Sequence, residues 1–242
     1  MRYGIFSDVH SNIEALNAVV SAYEKEGIDK YLCLGDVVGY ASSPKECIGL
    51  VSSVSDVVIA GNHDWACVDL FSAKYFNSLA ATAIKWTKEQ LVEENKLFLR
   101  SLKLSYKNQD LALVHGSLDN PGNFNYLIDS STAKETFALM QNNICFLGHT
   151  HIAGIFIQNP SGKITYQQDQ RVKIQDNNKY IINAGSVGQP RDGNPMAAYC
   201  IYDTQEKQVQ INRIEYDWSL TREKIIASGL PRFLGDRLLT GN

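Results

Sequence analysis

Residues 3–36, YGIFSDVHSNIEALNAVVSAYEKEGIDKYLCLGD, decide the fold. Tyr3 to Phe6 is a short apolar run that stops at polar Ser7-Asp8, which reads as a buried strand. Ile13, Leu16, Val19, Val20 and Tyr23 then recur at helical spacing, and Gly27 stands where a left-handed C-cap is wanted. Lys30 to Leu34 returns to strand and ends in Gly35-Asp36. Strand, helix and strand, each strand closing on a polar residue, make the repeating unit of an α/β sheet, whose strand ends share one edge where ligand crevices form.

The same rhythm continues outward. Ser43-Pro44-Lys45-Glu46 combines a capping box with proline at the first helical position, so a helix is predicted to begin there, and Asp56 to Ala60 reads as a third strand. From Trp65 to about Leu102 the pattern is helical and carries no chemistry motif. Leu111 to Val114 and Ile144 to Leu147 are strands that each stop just before a histidine, with a helix over Thr132 to Gln141 between them. Beyond His151 come β-type runs at Ala153 to Ile157, Lys163 to Gln168, Tyr180 to Ala184, Ala197 to Asp203 and Gln208 to Tyr216, which predict a second, more antiparallel sheet. Ser219 to Leu239 is again helical, broken at Gly229 and Pro231. No linker or repeat divides the 242 residues, so residues 1–242 are expected to form one domain.

Composition narrows the function. The net charge of −3, without a block of like charges, offers no basic stripe for nucleic acid. Met1-Arg2-Tyr3-Gly4-Ile5-Phe6 meets Ser7-Asp8 too early for a signal peptide and no apolar run is long enough to span a membrane, so a cytoplasmic protein without membrane partners is expected. Cys33, Cys47, Cys67, Cys145 and Cys200 are odd in number and lack C-x-x-C spacing, which argues against a disulfide framework or thiolate zinc site; Cys33 and Cys145, in apolar runs, read as packed thiols.

All five histidines fall in four short motifs: Asp8-x-His10, Asn62-His63-Asp64, His115-Gly116 and His149-x-His151. In extended chain, residues i and i+2 project to the same side, so each Asp/His or His/His pair can address one metal cluster. Asp36 and Asn62 follow strands through Gly35 and Gly61. Imidazole, carboxylate and amide oxygen without thiolate suit borderline or hard divalent ions, and seven candidates exceed the needs of one tetrahedral ion. A two-metal site follows, in which one carboxylate bridges the ions and the pair clamps the attacking and leaving oxygens of an in-line displacement. Taken singly the residues have duller readings: His115 as a loop histidine, Asp8 as a helix N-cap, Asp36 and Asn62 as turn residues. The joint pattern favours metal.

These blocks, with Gly61-Asn62-His63-Asp64, Gly148-His149-Thr150-His151 and the later Asn183 to Arg191, resemble the calcineurin-like metallophosphoesterase superfamily, in its small bacterial YfcE-like branch. The resemblance implies an α/β fold, a four-layer α/β/β/α sandwich of two mixed β-sheets. It implies that Asp8, His10 and His151 bind one metal, Asn62, His115 and His149 the other, and that Asp36 bridges them. Manganese is the first expectation, with iron, zinc, nickel or magnesium as alternatives. Attack on phosphorus then comes from a metal-bridging hydroxide, and His63, beside a ligand but outside the metal set, would protonate the leaving oxygen or stabilise its charge; Asp64 reads as a helix cap rather than an orienter of His63.

Serine/threonine protein phosphatases, which are relatives, carry an Asp and an Arg shortly after the bridging carboxylate, where this chain has Gly39 and Tyr40. Losing that bidentate phosphate donor favours a phosphodiester or dinucleoside polyphosphate over a phosphomonoester or phosphoprotein. Arg191 and Tyr126 are candidate substrate contacts. Trp65, Phe71, Tyr75, Phe76 and Trp86 read as core aromatics, a nucleobase wall being the second reading. A non-catalytic scaffold, like the retromer subunit that shares this fold, is disfavoured by the full histidine set. The expected partner is a small phosphoester or nucleotide, and a homo-oligomer is compatible with the sequence.

Overall fold

A computed structural model describes residues 1–242. In chain order, β1 (Arg2–Phe6), α1 (Ile13–Glu26), β2 (Lys30–Cys33), α2 (Pro44–Val54) and β3 (Val57–Val58) form the opening α/β unit. Then come α3 (Asn62–Ala66), α4 (Ser78–Gln90), α5 (Glu93–Ser101), β4 (Ser105–Lys107), β5 (Ala112–Val114), α6 (Ser130–Leu139) and β6 (Ile144–Leu147). The remainder is β7 (Gly154–Gln158), β8 (Ile164–Gln167), β9 (Arg171–Lys173), β10 (Lys179–Asn183), β11 (Ala197–Asp203), β12 (Gln208–Ile214), α7 (Trp218–Ala227) and α8 (Arg232–Asp236).

Two six-stranded mixed sheets result, ordered β3-β2-β1-β11-β12-β9 and β4-β5-β6-β10-β7-β8. Period-two alternation sorts each strand's side chains into layers. Tyr3 and Ile5, Leu32, Ile144 and Phe146, and Cys200 and Tyr202 share the core between the sheets. Phe6 and Cys33 instead pack with Leu16, Val19 and Val51 of α1 and α2. Cys145, Leu147 and Ile181 face Ala133 and Phe137 of α6. The sandwich is therefore helix, sheet, sheet, helix, as the resemblance implied.

Three local expectations change. The late β-runs do not make a sheet of their own: β11 and β12 join β1, in register Arg2↔Asp203 to Ile5↔Cys200, while β10 pairs parallel with β6. Ser43 precedes α2 but makes no side-chain cap bond, so the predicted capping box does not form. The stretch from Trp65 to Leu102 is not one helical run but α3, a 3-10 turn at Ala73–Tyr75, α4 and α5. Short strands β4 and β9 are polar edge segments without a hydrophobic period, which is why sequence pattern passes over them. All five cysteines are free and buried; burial pushes the Cys145 and Cys200 thiols up to about 12 and so suppresses thiolate chemistry. No helix is long and apolar enough to cross a membrane.

Candidate metal centre

The parallel strands β1, β2 and β3 deliver Asp8, Asp36 and Asn62 to one edge of the first sheet, and parallel β5 and β6 deliver His115, His149 and His151 to the matching edge of the second. Backbone bonds lace these ends together: Asp8 N–H donates to Gly35 O at 3.0 Å and His10 N–H to Asp36 O at 2.9 Å. The loop after β10 closes the gap between sheets, with Val187 and Gly188 N–H donating to Ser7 O and Asp8 O, both at 2.9 Å. Ser186 Oγ adds a bond to Asp8 O at 2.8 Å, and Asn183 Nδ2 holds both Gly148 O and Thr150 Oγ1 at 2.8 Å. At Gly148 a Cβ would collide with Ser7 Oγ and Asp8 Oδ2, so the β6 loop can press against the β1 loop only with glycine there.

Five of the seven candidate ligands lie in the left-handed backbone region: Asp8 (φ 55°), His10 (49°), Asp36 (52°), His149 (67°) and His151 (61°). Such conformations disfavour residues with a Cβ and persist where surrounding contacts impose them, which happens chiefly at functional sites.

The side chains converge. His10 and His151 bring their Nε2 atoms within 3.0 Å; Asp8 Oδ1 stands 3.3 Å from His151 Nε2 and 3.7 Å from His10 Nε2. Asp36 Oδ2 lies 3.3 Å from His115 Nε2 and 3.6 Å from His10 Nε2. Asp8, His10 and His151 form one potential cation cage and Asp36, His115 and His149 a second; Asp36 and His10 also group with His63. The structure thus brings the six Asp and His candidates to one place, with Asp36 of the second cage also in reach of His10 of the first, and sets Asn62 on the adjoining cleft beside His149.

Hydrogen bonding aims the donor atoms inward. Nδ1 of His10, His115 and His151 meets the carbonyls of Val38, Leu34 and Gln189 at 3.1, 2.8 and 2.6 Å. A carbonyl can only accept, so each Nδ1 carries the proton and each Nε2 is left to turn its lone pair into the cluster. Asp8 Oδ2 accepts His149 N–H at 3.0 Å and Asp36 Oδ1 accepts His63 N–H at 2.8 Å, which leaves the other oxygen of each carboxylate facing the cages.

Asp8 Oδ1, Asn62 Oδ1, His115 Nε2 and His149 Nε2 are buried without a hydrogen-bond partner. Opposed Nε2 lone pairs and orphaned acceptors are unfavourable in a buried site unless a cation sits among them. No Lys or Arg pairs with Asp8 or Asp36; only histidines do. Burial would raise both carboxyls, but His151 beside Asp8 and His115 beside Asp36 hold them well below the usual range. Burial alone would lower His115, yet Asp36 and then Asp8 raise it to about 9, a demand for positive charge that a divalent ion meets. Burial drives His149 down to about 3, keeping it neutral as a ligand must be. The residues fit divalent cations.

His63 is buried beside the cages, its ring 4.7 Å from His10 and 4.6 Å from Tyr40. Burial pushes it down to about 4. Asp64 does not touch His63: its carboxylate accepts from Gly61 N–H at 3.0 Å and Val38 N–H at 3.2 Å, capping α3 from within and fixing the Asp36 loop. Asp8 is no helix cap; that role falls to Asn12, whose Oδ1 accepts from Ala15 N–H at 3.1 Å.

A cleft of about 700 Å³ opens onto the cages, and both Tyr126 and Arg191 line it. Tyr126 stacks on His149 at 4.0 Å and 19°. Arg191 sits 5.4 Å over the Tyr40 ring and donates to Gln189 Oε1 at 2.8 Å. Of the aromatics read as core, Phe71 and Tyr75 instead line this cleft and Phe76 lines it while packing against the core, whereas Trp86 packs beneath the C-terminal helices and donates to Ser228 O at 3.1 Å. Phe124 and its asparagine neighbours also line it and were invisible to pattern, because they lie on a loop without periodicity.

A profile described as the calcineurin-like phosphoesterase superfamily domain matches residues 1–207. An uncharacterised protein of Methanocaldococcus jannaschii is 38% identical over 241 residues, covering 98% of this chain and 97% of its own. The crystal structure of a metallophosphoesterase from Sphaerobacter thermophilus superposes with a TM-score of 0.90 at 35% identity, covering 100% of this chain and 99% of that one. A hypothetical protein from Pyrococcus horikoshii shares the fold at TM-score 0.79 and 20% identity, with coverage of 100% and 98%.

Proposed function

Since this chain belongs to the calcineurin-like phosphoesterase superfamily, we propose that it hydrolyses phosphodiesters, among them dinucleoside polyphosphates, with two divalent cations held by Asp8, His10 and His151 on one side and Asn62, His115 and His149 on the other, Asp36 between them. The observation that carries the reading is the facing of His10 Nε2 and His151 Nε2 at 3.0 Å, both Nδ1 protons being already committed to carbonyls. An oxygen- and imidazole-rich, thiolate-free donor set suits manganese, iron, zinc, nickel or magnesium, and manganese is put first on the family resemblance. Such ions, when bound, supply Lewis-acid charge at phosphoryl oxygens and make water a nucleophile near neutral pH.

The chain's own residues do the rest. Arg191 has no carboxylate partner and its Nε is buried without an acceptor, so it is free to grip a phosphoryl oxygen at the cleft rim. His63, packed between His10 and Phe76 and kept neutral by burial, is placed to stabilise charge on the leaving oxygen and, once the anionic phosphate lifts its pKa, to hand it a proton. Tyr40, at the sequence position where protein phosphatases carry their arginine, packs beside His10 and His63. Arg191 is the one cation among the side chains that line the cleft, which suits a diester monoanion better than a terminal dianion.

The test is metal analysis of the purified protein with assays on bis-p-nitrophenyl phosphate, diadenosine tetraphosphate and p-nitrophenyl phosphate. Two metal equivalents and a higher kcat/KM on the first two substrates are expected. Preference for p-nitrophenyl phosphate would transfer the chain to the phosphomonoesterases. Metal binding without turnover of any of the three would favour a scaffold.

A further inference from the structure

Six aromatic side chains, Tyr40, Phe71, Tyr75, Phe76, Phe124 and Tyr126, line the cleft, yet it contains no Leu, Ile, Val or Met. A pocket for an acyl chain would be walled by aliphatic residues; one walled by rings suits a flat π-system. The rings form a continuous path from the metal centre. His63 meets Phe76 at 4.8 Å, Phe76 meets Phe71 at 5.9 Å, and Phe71 meets Tyr75 at 5.4 Å. A second branch joins His115 to Phe124 at 6.0 Å and Phe124 to Phe71 at 5.1 Å. The outermost ring, Tyr75, is 78% exposed and Tyr126 is 54% exposed, although both are large and apolar-bodied. Exposed rings that rim a concave site mark a binding surface.

The wall is held rigidly. Phe124 is buried in the left-handed region at φ 51°, a conformation that a bulky residue keeps only under constraint. A Cβ on Gly116 would come within 2.7 Å of Asn125 O, so the Phe124 loop is pressed against the residue that follows His115. Asn77, Asn123 and Asn125 stand on the same cleft, all exposed; the amides of Asn123 and Asn125 make no bond within the protein. A free primary amide presents one donor and one acceptor side by side, which matches the paired edge of a nucleobase and gives a plain hydrocarbon ring nothing.

We infer that this cleft is a nucleobase subsite: a base stacks on the Tyr75–Phe71 and Tyr126 rings, with its polar edge toward Asn123 and Asn125, while its phosphate reaches Arg191 and the metal centre. The inference rests on the phosphodiesterase reading for the substrate's other half. It makes the substrate a nucleotide diester or dinucleoside polyphosphate rather than a phospholipid or phosphoprotein.

Adenosine has a base and no phosphate, so its binding to the purified, metal-loaded full chain separates the two readings. Calorimetric titration is expected to show adenosine binding and no ribose binding. Tyr75→Ala, at an exposed position that folding does not need, should weaken adenosine roughly tenfold, the scale of one stacking contact, and Tyr75→Trp should restore it. With diadenosine tetraphosphate the alanine variant should raise KM by a similar factor and leave kcat within about twofold. Absence of adenosine binding at millimolar concentration, or binding indifferent to both Tyr75→Ala and Tyr126→Ala, would overturn the subsite. Adenosine binding that depends on these rings, in a chain that cleaves no diester, would uphold the subsite and overturn the hydrolytic reading instead.

Discussion

His63 is the residue whose role is most sharply separable from those of its neighbours. Its backbone N–H holds Asp36 Oδ1 at 2.8 Å, while its ring, although grouped with His10 and Asp36, belongs to neither half of the proposed ligand set. His63→Ala keeps the backbone donor and removes only the ring. The variant is expected to retain both metals by elemental analysis and to lose about 10²–10⁴ in kcat, the usual worth of a positioned general acid. Undiminished turnover would remove His63 from the proton-donor role, and loss of metal would make it a ligand. Each histidine motif was legible at this scale because Asp, Asn and His have few reasons to cluster after strands. The tautomers were not legible, because they depend on carbonyls of Leu34, Val38 and Gln189, far along the chain from His115, His10 and His151.

At the scale of elements, α1 shows how a structural residue serves the site. Asn12 caps it through Oδ1, donates from Nδ2 to Gly188 O at 2.9 Å, and accepts from Thr221 Oγ1 of α7 at 3.0 Å. It therefore ties the helix beside the metal loop to the closing loop and to the C-terminal helices. Asn12→Ala strands several buried polar groups as well as the helix start, and should destabilise the fold by about 2–3 kcal/mol. Urea unfolding read as a shift in midpoint measures this; a change below about 0.5 kcal/mol, the range of an inconsequential surface substitution, would mean that the cap is replaceable. The sequence placed α1 and its Gly27 cap well, since Gly27 adopts φ 63° as anticipated. Asp8 is open to a helix-cap reading in the sequence because capping is a common role for Asp; the sharp left-handed turns at His10 and Ser11 instead bring Asn12 to Ala15 N–H.

Across the whole molecule, two buried carboxylates, Asp8 and Asp36, lie at the junction of the sheets with histidines, and no Lys or Arg, beside them. Burying charge without compensation is strongly destabilising, so bound cations should act as a fastener between the two halves of the sandwich. At metal concentrations near 100 times Kd the gain is about 2.7 kcal/mol. For a chain of this size that is about 5–10 °C in Tm. Treatment with a chelator should lower Tm by this amount, and manganese should restore it in a concentration-dependent way. A Tm indifferent to chelator and metal would contradict ion binding at the inter-sheet junction.

The sequence by itself determined the α/β alternation, the helix spans about α1 and α6, and which Asp and His side chains stand at the strand ends where the two sheets meet, because these rest on local period and on residue chemistry. Only the tertiary structure decided which sheet each late strand joins: alternation in β10 and β11 is the same whether they pair with β6 or with β1, and that choice is made by contacts up to 201 residues apart, such as Arg2 with Asp203. It also decided the fate of Phe71, Tyr75 and Phe76. An aromatic ring at helical spacing is equally apolar in a core or on the wall of a cleft, and the difference is solvent exposure, which no local pattern encodes.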